Sequence, residues 1–448
     1  MPILEKPPEW KDVFKDGANP SLKSFQDVEI SDFVNRMNDR YFYWDELKYR
    51  PTPKHISAGQ AWYFVKLSRI SQRKFLALES TKGEGFGYWL PDSVLRELHF
   101  IDQNATGQIL TDEPTVGKFD KDRYILSSLM EEAIASSLLE GAATTRKKAK
   151  EMLREGRKPI TKGERMVQNN YLTMLKIKAR DEEDLTIDLL CEIQASITEG
   201  TLDDPTASGR LRRVDEDIHV VDMTDGTILH TPPPAEALVS RLRKLCDFAN
   251  ELQEHTFLHP VVKGILLHFW LAYEHPFVDG NGRTARAIFY WFLIKHKYWL
   301  IEYLPISRII LKAPVKYKMA FLYSEHDDED VTYFISFNLR AIHLSIEDFR
   351  KYILKKQSEL REASKLLKKF PRLNHRQQEL INHAIRHPGS SYTLVHHASI
   401  HGIVYQTART DLFQLVKLGL LELRKSGRMY LFSPNEDLPR LLRKRGLR

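Results

Sequence analysis

The chain has 448 residues, of which 42% are hydrophobic and 28% charged, the length of about two to four soluble globular domains and not of a disordered chain or a fibrous repeat. The net charge of +7 is uneven: from Arg372 to Arg448, 13 Lys+Arg face 5 Asp+Glu, a surplus of +8, and the rest carries −1. A polyanion-binding C-terminal segment on a neutral body fits that asymmetry, and no run of about 18 apolar residues exists to span a membrane.

In chain order, Met1-Pro2-Ile3-Leu4-Glu5-Lys6 lacks the apolar core of a secretory signal. Helices are predicted over Ser31–Leu47, His55–Arg73 and Asp92–Asp102, with short strands at Lys74–Leu78 and Phe86–Leu90 around the turn Lys82–Gly85. Residues 105–120 are turn-rich. A helix is expected from a cap at Asp122 to Glu140, stopped by Gly141, and others near 144–156, 162–180, 184–198, 234–254, 260–274 and 282–297. Alternating apolar residues at Ile218–Asp222 and Thr227–His230 flank Met223-Thr224-Asp225-Gly226, a hairpin signal closed by Pro232-Pro233-Pro234. Ile346–Lys369 reads as a basic linker helix ending at Pro371. Helices at 374–387, 393–400 and 405–418, punctuated by Pro388-Gly389 and His401-Gly402, then precede two strands, Leu420–Arg424 and Met429–Phe432. Three helices and a hairpin are the winged form of a helix-turn-helix module. The two cysteines, Cys191 and Cys246, are too few for a disulfide framework or a structural zinc site and read as reduced thiols of a cytoplasmic protein.

The chemistry concentrates in His275-Pro276-Phe277-Val278-Asp279-Gly280-Asn281-Gly282-Arg283-Thr284-Ala285-Arg286, between two apolar helical segments. Gly280, Asn281 and Gly282 form a permissive loop opening a helix, where backbone N–H groups converge on an anion, with Asn281 a good N-cap. Arg283 and Arg286, three apart, offer forked donors for phosphate oxygens. Asp279 is a hard oxygen ligand suited to Mg²⁺, and His275 has the chemistry of a general base.

This run resembles, at every specified position, the signature His-Pro-Phe-x-Asp-Gly-Asn-Gly-Arg-x-x-Arg of Fic-domain proteins. The resemblance extends over roughly residues 120–345, including Gly209-Arg210, Arg213, the hairpin, and Asp330–Ile335. It implies a mainly α fold: a helical Fic core with the hairpin as a flap beside the active site, here followed by the winged helix-turn-helix domain. It implies transfer of AMP from ATP, with Mg²⁺, to a Ser, Thr or Tyr hydroxyl of a protein target or of the chain itself. His275 would be the base and Asp279 the metal ligand. Gly280, Asn281 and Gly282 would cradle the phosphates, Arg286 would pair with the γ-phosphate, and Arg283 would support the β/γ region. Gly282 stands where the kinase-like Doc branch has Lys, which disfavours phosphate transfer.

Ser136-Ser137-Leu138-Leu139-Glu140-Gly141 resembles the family's inhibitory motif, Ser/Thr-x-x-x-Glu-Gly/Asn. That implies Glu140, with Ser136, on a helix of about 123–141 that occupies Arg286. A carboxylate in a last helical turn faces the negative end of the helix dipole, so a buried partner would justify it. The expected division is 1–118 with no assigned role, 119–345 the Fic domain, 346–371 the linker and 372–448 the winged helix. Gln406, Thr407, Arg409 and Thr410 on the last helix are residue types that read base edges, and Lys425, Arg428 and the tail Arg440, Arg443, Lys444, Arg445 and Arg448 could meet phosphates. Expected partners are thus ATP, a protein target, a second copy of the chain, and DNA through 372–448. Competing functions are a DNA-binding regulator with a nucleotide-sensing core, AMP removal, and phosphocholine transfer.

Overall fold

The structure, a computed structural model, describes residues 4–10, 13, 26–105, 118–222, 225–250, 257–368, 373–386, 390–426, 429–435, 438 and 440–442, without the side chains of 118–126, 426, 429 and most of 356–368. The turn-rich stretch from 106 to 117, Met223-Thr224, Pro371, Pro388-Gly389, Arg428, Arg443, Lys444, Arg445 and Arg448 lie outside the described residues. The chain forms two compact units, Met1–Gly107 with Ser128–Ile346, and Gln108–Ser127 with Glu347–Arg448.

The first unit opens with α1 (Val28–Arg40), α2 (Trp44–Leu47), α3 (Ala58–Gln72), the antiparallel hairpin β1 (Lys74–Glu79) and β2 (Gly85–Tyr88), and α4 (Asp92–Ala105). The single helix expected over Ser31–Leu47 is two, because Tyr41 turns left-handed (φ 47°) and ends α1. A capping box starts α3, Ser57 and Gln60 exchanging side-chain to backbone bonds. Buried charge docks this region. Lys66, fully buried, lies 2.7 Å from Asp327 and 2.9 Å from Asp328. Arg69 donates to Asn38, the Phe42 carbonyl and the Tyr333 hydroxyl, and Tyr41 donates to Asp330. Gly87 makes a parallel bridge to Asp330.

Next come α5 (Lys118–Leu139), α6 (Arg146–Glu155), α7 (Lys162–Lys178), α8 (Ile187–Thr198), the hairpin β3 (Val220–Val221) and β4 (Ile228–His230), α9 (Leu238–Asn250), α10 (Pro260–Glu274), α11 (Asn281–Lys295), α12 (Ile306–Lys312), α13 (Pro314–His326) and α14 (Thr332–Lys368). Thr145, Thr161 and Thr186 start α6, α7 and α8 by accepting the N–H three residues on. α5 starts at Lys118, four residues before the expected cap at Asp122, and the chain turns at Gly141 with φ 79°. The core lies around α10 and α11, almost every residue of which is buried. Gly264 lets them approach, since a Cβ there would sit 3.3 Å from Leu293 and Phe292. α7 and α8 pack on α11, and α9 on α10. The helix expected over Ile346–Lys369 begins at Thr332 instead, because no Gly or Pro interrupts the run to Lys368.

In the second unit α15 (His375–Arg386), α16 (Leu394–His401) and α17 (Tyr405–Lys417) precede the antiparallel pair β5 (Leu421–Ser426) and β6 (Met429–Pro434). Their core includes Leu380, Ile381, Leu412, Leu415 and Phe432. Asp411, the one acidic residue between Ser391 and Lys417, is buried and accepts from Asn374 and Arg376, with His397 Nε2 3.3 Å away. The chain is mainly α, and no described helix is long and apolar enough to cross a membrane. Both cysteines are free thiols.

Candidate functional site

The site is built where α10 gives way to α11. α10 ends on His275, a left-handed residue (φ 45°, ψ 55°) whose N–H caps the Leu271 carbonyl. Its Nδ1 lies 3.4 Å from the Ala272 carbonyl oxygen, which only accepts, so Nδ1 carries the proton and Nε2 keeps its lone pair. Burial first, and then the neighbouring His230, push the His275 pKa down to about 4, against the Ala272 carbonyl and Glu140. The imidazole is therefore neutral at ordinary pH.

The cap of α11 is Gly280, at φ 86°, and not the expected Asn281. A Cβ on Gly280 would sit 2.8 Å from Thr198 Cγ2, so both backbone angle and space require glycine. Asn281 is the first helical residue. Its side chain accepts from the Phe277 N–H and donates to the Phe277 carbonyl, locking the loop. The two arginines are buried rather than spread on a solvated face. Arg283 donates to the Ile197 carbonyl at 3.2 Å and to Asp279 Oδ1 at 3.3 Å, so it orients the carboxylate; its Nε has no protein partner.

Arg286 turns to the other side. Its Nε donates to Ser136 Oγ at 2.8 Å and Nη2 to the Ser136 carbonyl at 3.0 Å and to Glu140 Oε1 at 2.8 Å. The Glu140 carboxylate also lies over the first turn of α11, where a Cβ on Gly282 would collide with it. Burial alone would raise the Glu140 pKa; Arg286, with Arg283, holds it below the ordinary carboxylate value instead. An anion thus sits at the positive end of a helix, against the glycines and one of the arginines assigned to phosphate binding.

Asp279, with its side chain about half exposed, also accepts from the Gly280 N–H. Among the described residues no cluster of three or more His, Cys, Asp or Glu could cage a metal. Mg²⁺ keeps several waters and takes one or two carboxylates plus substrate phosphates, so the half-exposed Asp279 carboxylate at the N-terminus of α11 would fit an ion held jointly with a nucleotide.

Several neighbours were not singled out from the sequence. The Tyr317 hydroxyl is pushed up to about 12 by burial, against the charge of Arg286 beside it, and lies 2.8 Å from His268 Nε2. Arg212 grips the loop after α10, its Nε donating to the His275 carbonyl at 3.0 Å and its N–H to the Pro276 carbonyl at 2.8 Å. These contacts join residues tens of positions apart, and only the Gly209-Arg210 dipeptide beside Arg212 hinted at them.

Residues 184–293 match the model of the Fic/DOC family. The chain is 34% identical over 106 residues to a protein adenylyltransferase Fic of Nematostella vectensis, a match covering 24% of this chain and 22% of that protein. It is 27% identical over 110 residues to the protein adenylyltransferase fic-1 of Caenorhabditis elegans, covering 25% and 19%. The matches thus span about a fifth of these curated relatives. Among solved structures, a Fic family protein from Desulfovibrio desulfuricans superposes with a TM-score of 0.49 at 18% identity, over 76% of this chain and 94% of that one. The loop from His275 to Arg286 lies inside the matched segment, and over residues 184–293 the chain carries a domain of the Fic/DOC family.

Proposed function

We propose that the chain is a protein adenylyltransferase that moves AMP from ATP to a Ser, Thr or Tyr hydroxyl of a protein target, or of itself, and that Glu140 holds it in check. The observation that carries this reading is the Glu140 carboxylate against Gly282 and Arg286, an anion in the place of a phosphate. In transfer, the target hydroxyl gives its proton to His275 Nε2 while its oxygen bonds to the α-phosphorus. The bond from that phosphorus to pyrophosphate breaks. The amides from Gly280 to Gly282 bind the phosphates and Arg286 takes the γ-phosphate, so catalysis is positioning and charge stabilisation. Asp279, oriented by Arg283, would hold Mg²⁺, which supplies charge neutralisation between phosphates. The hairpin β3–β4, with Val221 and Ile228 exposed, offers an edge to an extended target segment. The shared names of the relatives, protein adenylyltransferase, support the choice of AMP over phosphocholine. Incubating the Glu140→Gly protein with Mg²⁺-ATP and a lysate should add AMP to proteins, read by mass spectrometry and lost with EDTA. A different adduct, or AMP released from pre-labelled protein without forward labelling, would overturn the reading.

A second reading concerns residues 372–448, which we place on duplex DNA. Asp411 is turned inward, so α16 and α17 present no exposed carboxylate, while Gln406, Arg409 and Thr410 are exposed on α17 and Arg424 and Lys425 on β5. The full chain should bind a random duplex with an affinity that falls steeply with salt, and Arg409→Ala with Lys425→Ala should flatten that slope by about two ions. A salt-independent anisotropy signal would point to a protein partner instead.

A further inference from the structure

Strand β4 ends in His230, whose ring lies between two acceptors. Nδ1 is 2.7 Å from Glu325 Oε2, and Nε2 is 2.7 Å from the carbonyl oxygen of Tyr273. A carboxylate and a backbone carbonyl only accept, so each ring nitrogen must carry a hydrogen and the ring is an imidazolium. Tyr273 belongs to the last turn of α10, where carbonyls lack helical partners and the dipole favours a cation. His275 stands two residues further on. Arg212 reaches the same helix end: its guanidinium donates to the carbonyls of His275 and Pro233, the latter just after the hairpin. Two cations therefore fasten the hairpin and its flanks to the backbone that presents His275.

We propose that His230, held charged between Glu325 and the Tyr273 carbonyl, is a positioning residue for His275: it fixes the hairpin to the end of α10 and, together with burial, keeps the neighbouring imidazole neutral, able to accept a proton. The assignment of His275 as the base rests on the transferase reading; the charged anchor does not. The charged and titratable groups around His230 are Glu325 from α13 and Tyr273, Glu274 and His275 from α10. Arg241 of α9 sits on Glu274, and His219 approaches across the hairpin through Thr231. Burial lowers the His230 pKa, but the bond and charge of Glu325, with the Tyr273 carbonyl and Glu274, outweigh it and leave the value raised. The anchor is then fully present below the ordinary histidine pKa of about 6.5 and is lost as pH climbs through the raised value.

The test uses the full chain with isotope-labelled histidines, titrated by NMR, beside pH–rate profiles for AMP transfer in the Glu140→Gly background. His230 should show a doubly protonated ring at neutral pH and titrate above an ordinary histidine. Transfer should fall on the alkaline side with the same midpoint. His230→Gln should erase that limb, raise the His275 pKa and lower kcat on the order of tenfold, with the KM for ATP little changed. Glu325→Gln, which keeps the ring, should move the limb to lower pH, and serves if His230→Gln does not fold. A singly protonated His230 at neutral pH, or an alkaline limb unmoved by either variant, would overturn the proposal. A protein that transfers no label yet shows both the charged His230 and the raised His275 value in His230→Gln supports the anchor and sinks the transferase reading instead.

Discussion

His275→Ala, in the Glu140→Gly background, should cut AMP transfer by roughly 10²–10⁴-fold, the range typical for loss of a general base. Nucleotide binding should survive, because the groups assigned to the phosphates lie elsewhere: the amides from Gly280 to Gly282, and Arg286 on a different face of α11. The expected split is a collapsed kcat with a retained ATP affinity, measured by labelled-nucleotide transfer and by equilibrium binding. The left-handed φ of 45° at position 275 adds a structural cost that alanine does not relieve. A melting curve on the same preparation therefore separates lost chemistry from a lost loop. A variant that transfers AMP as fast as its parent would remove His275 from the mechanism.

The opposite sign is expected for Glu140→Gly alone. The Glu140–Arg286 contact is a charge-assisted bond at 2.8 Å with Arg286 almost fully buried. Hydrogen bonds to charged groups contribute about 1.5–3 kcal/mol, and each 1.4 kcal/mol is a factor of ten. Freeing Arg286 and the space above Gly282 should thus raise labelling of target and self by about ten- to a hundredfold. The apo variant should melt earlier, since the buried guanidinium loses its bonded carboxylate and keeps the neutral groups Ser136 and Tyr317 beside it. Mg²⁺-ATP brings a replacement anion, so its thermal shift should be larger for the variant than for the parent. Equal labelling and equal shifts would make Glu140 an ordinary residue at a helix end and leave the transferase reading standing.

What the sequence made legible was local. The helix stop at Gly141, the hairpin around Asp225-Gly226, and the run from His275 to Arg286 are each written within a few residues, where period and turn chemistry operate. Tyr41 was misread because an aromatic residue gives no hint of a left-handed turn; it takes one there with its hydroxyl bonded to Asp330. The residue type of Arg283 suggested phosphates but carried no sign of its described bonds to Ile197 and Asp279, which follow from α8 packing against α11. The start of α14 at Thr332 was missed for the converse reason: an unbroken helical pattern was cut where its composition changed. His230 drew no notice, since its two partners lie 95 and 43 residues away in sequence.

The docking of the first four helices has a consequence for how this protein can be divided. Asp327 and Asp330 are buried, and the groups that answer them, Lys66 and Tyr41, come from helices about 260 to 290 residues earlier in the chain. A fragment of everything after residue 118 would keep those carboxylates, just beyond the Glu325 that faces His230, but lose Lys66 and Tyr41 and uncover the face they dock. Such a fragment should come out of expression insoluble or loosely packed. On that result the segment that matches the family model, residues 184–293, would be smaller than the stretch that must be synthesised for it to fold here.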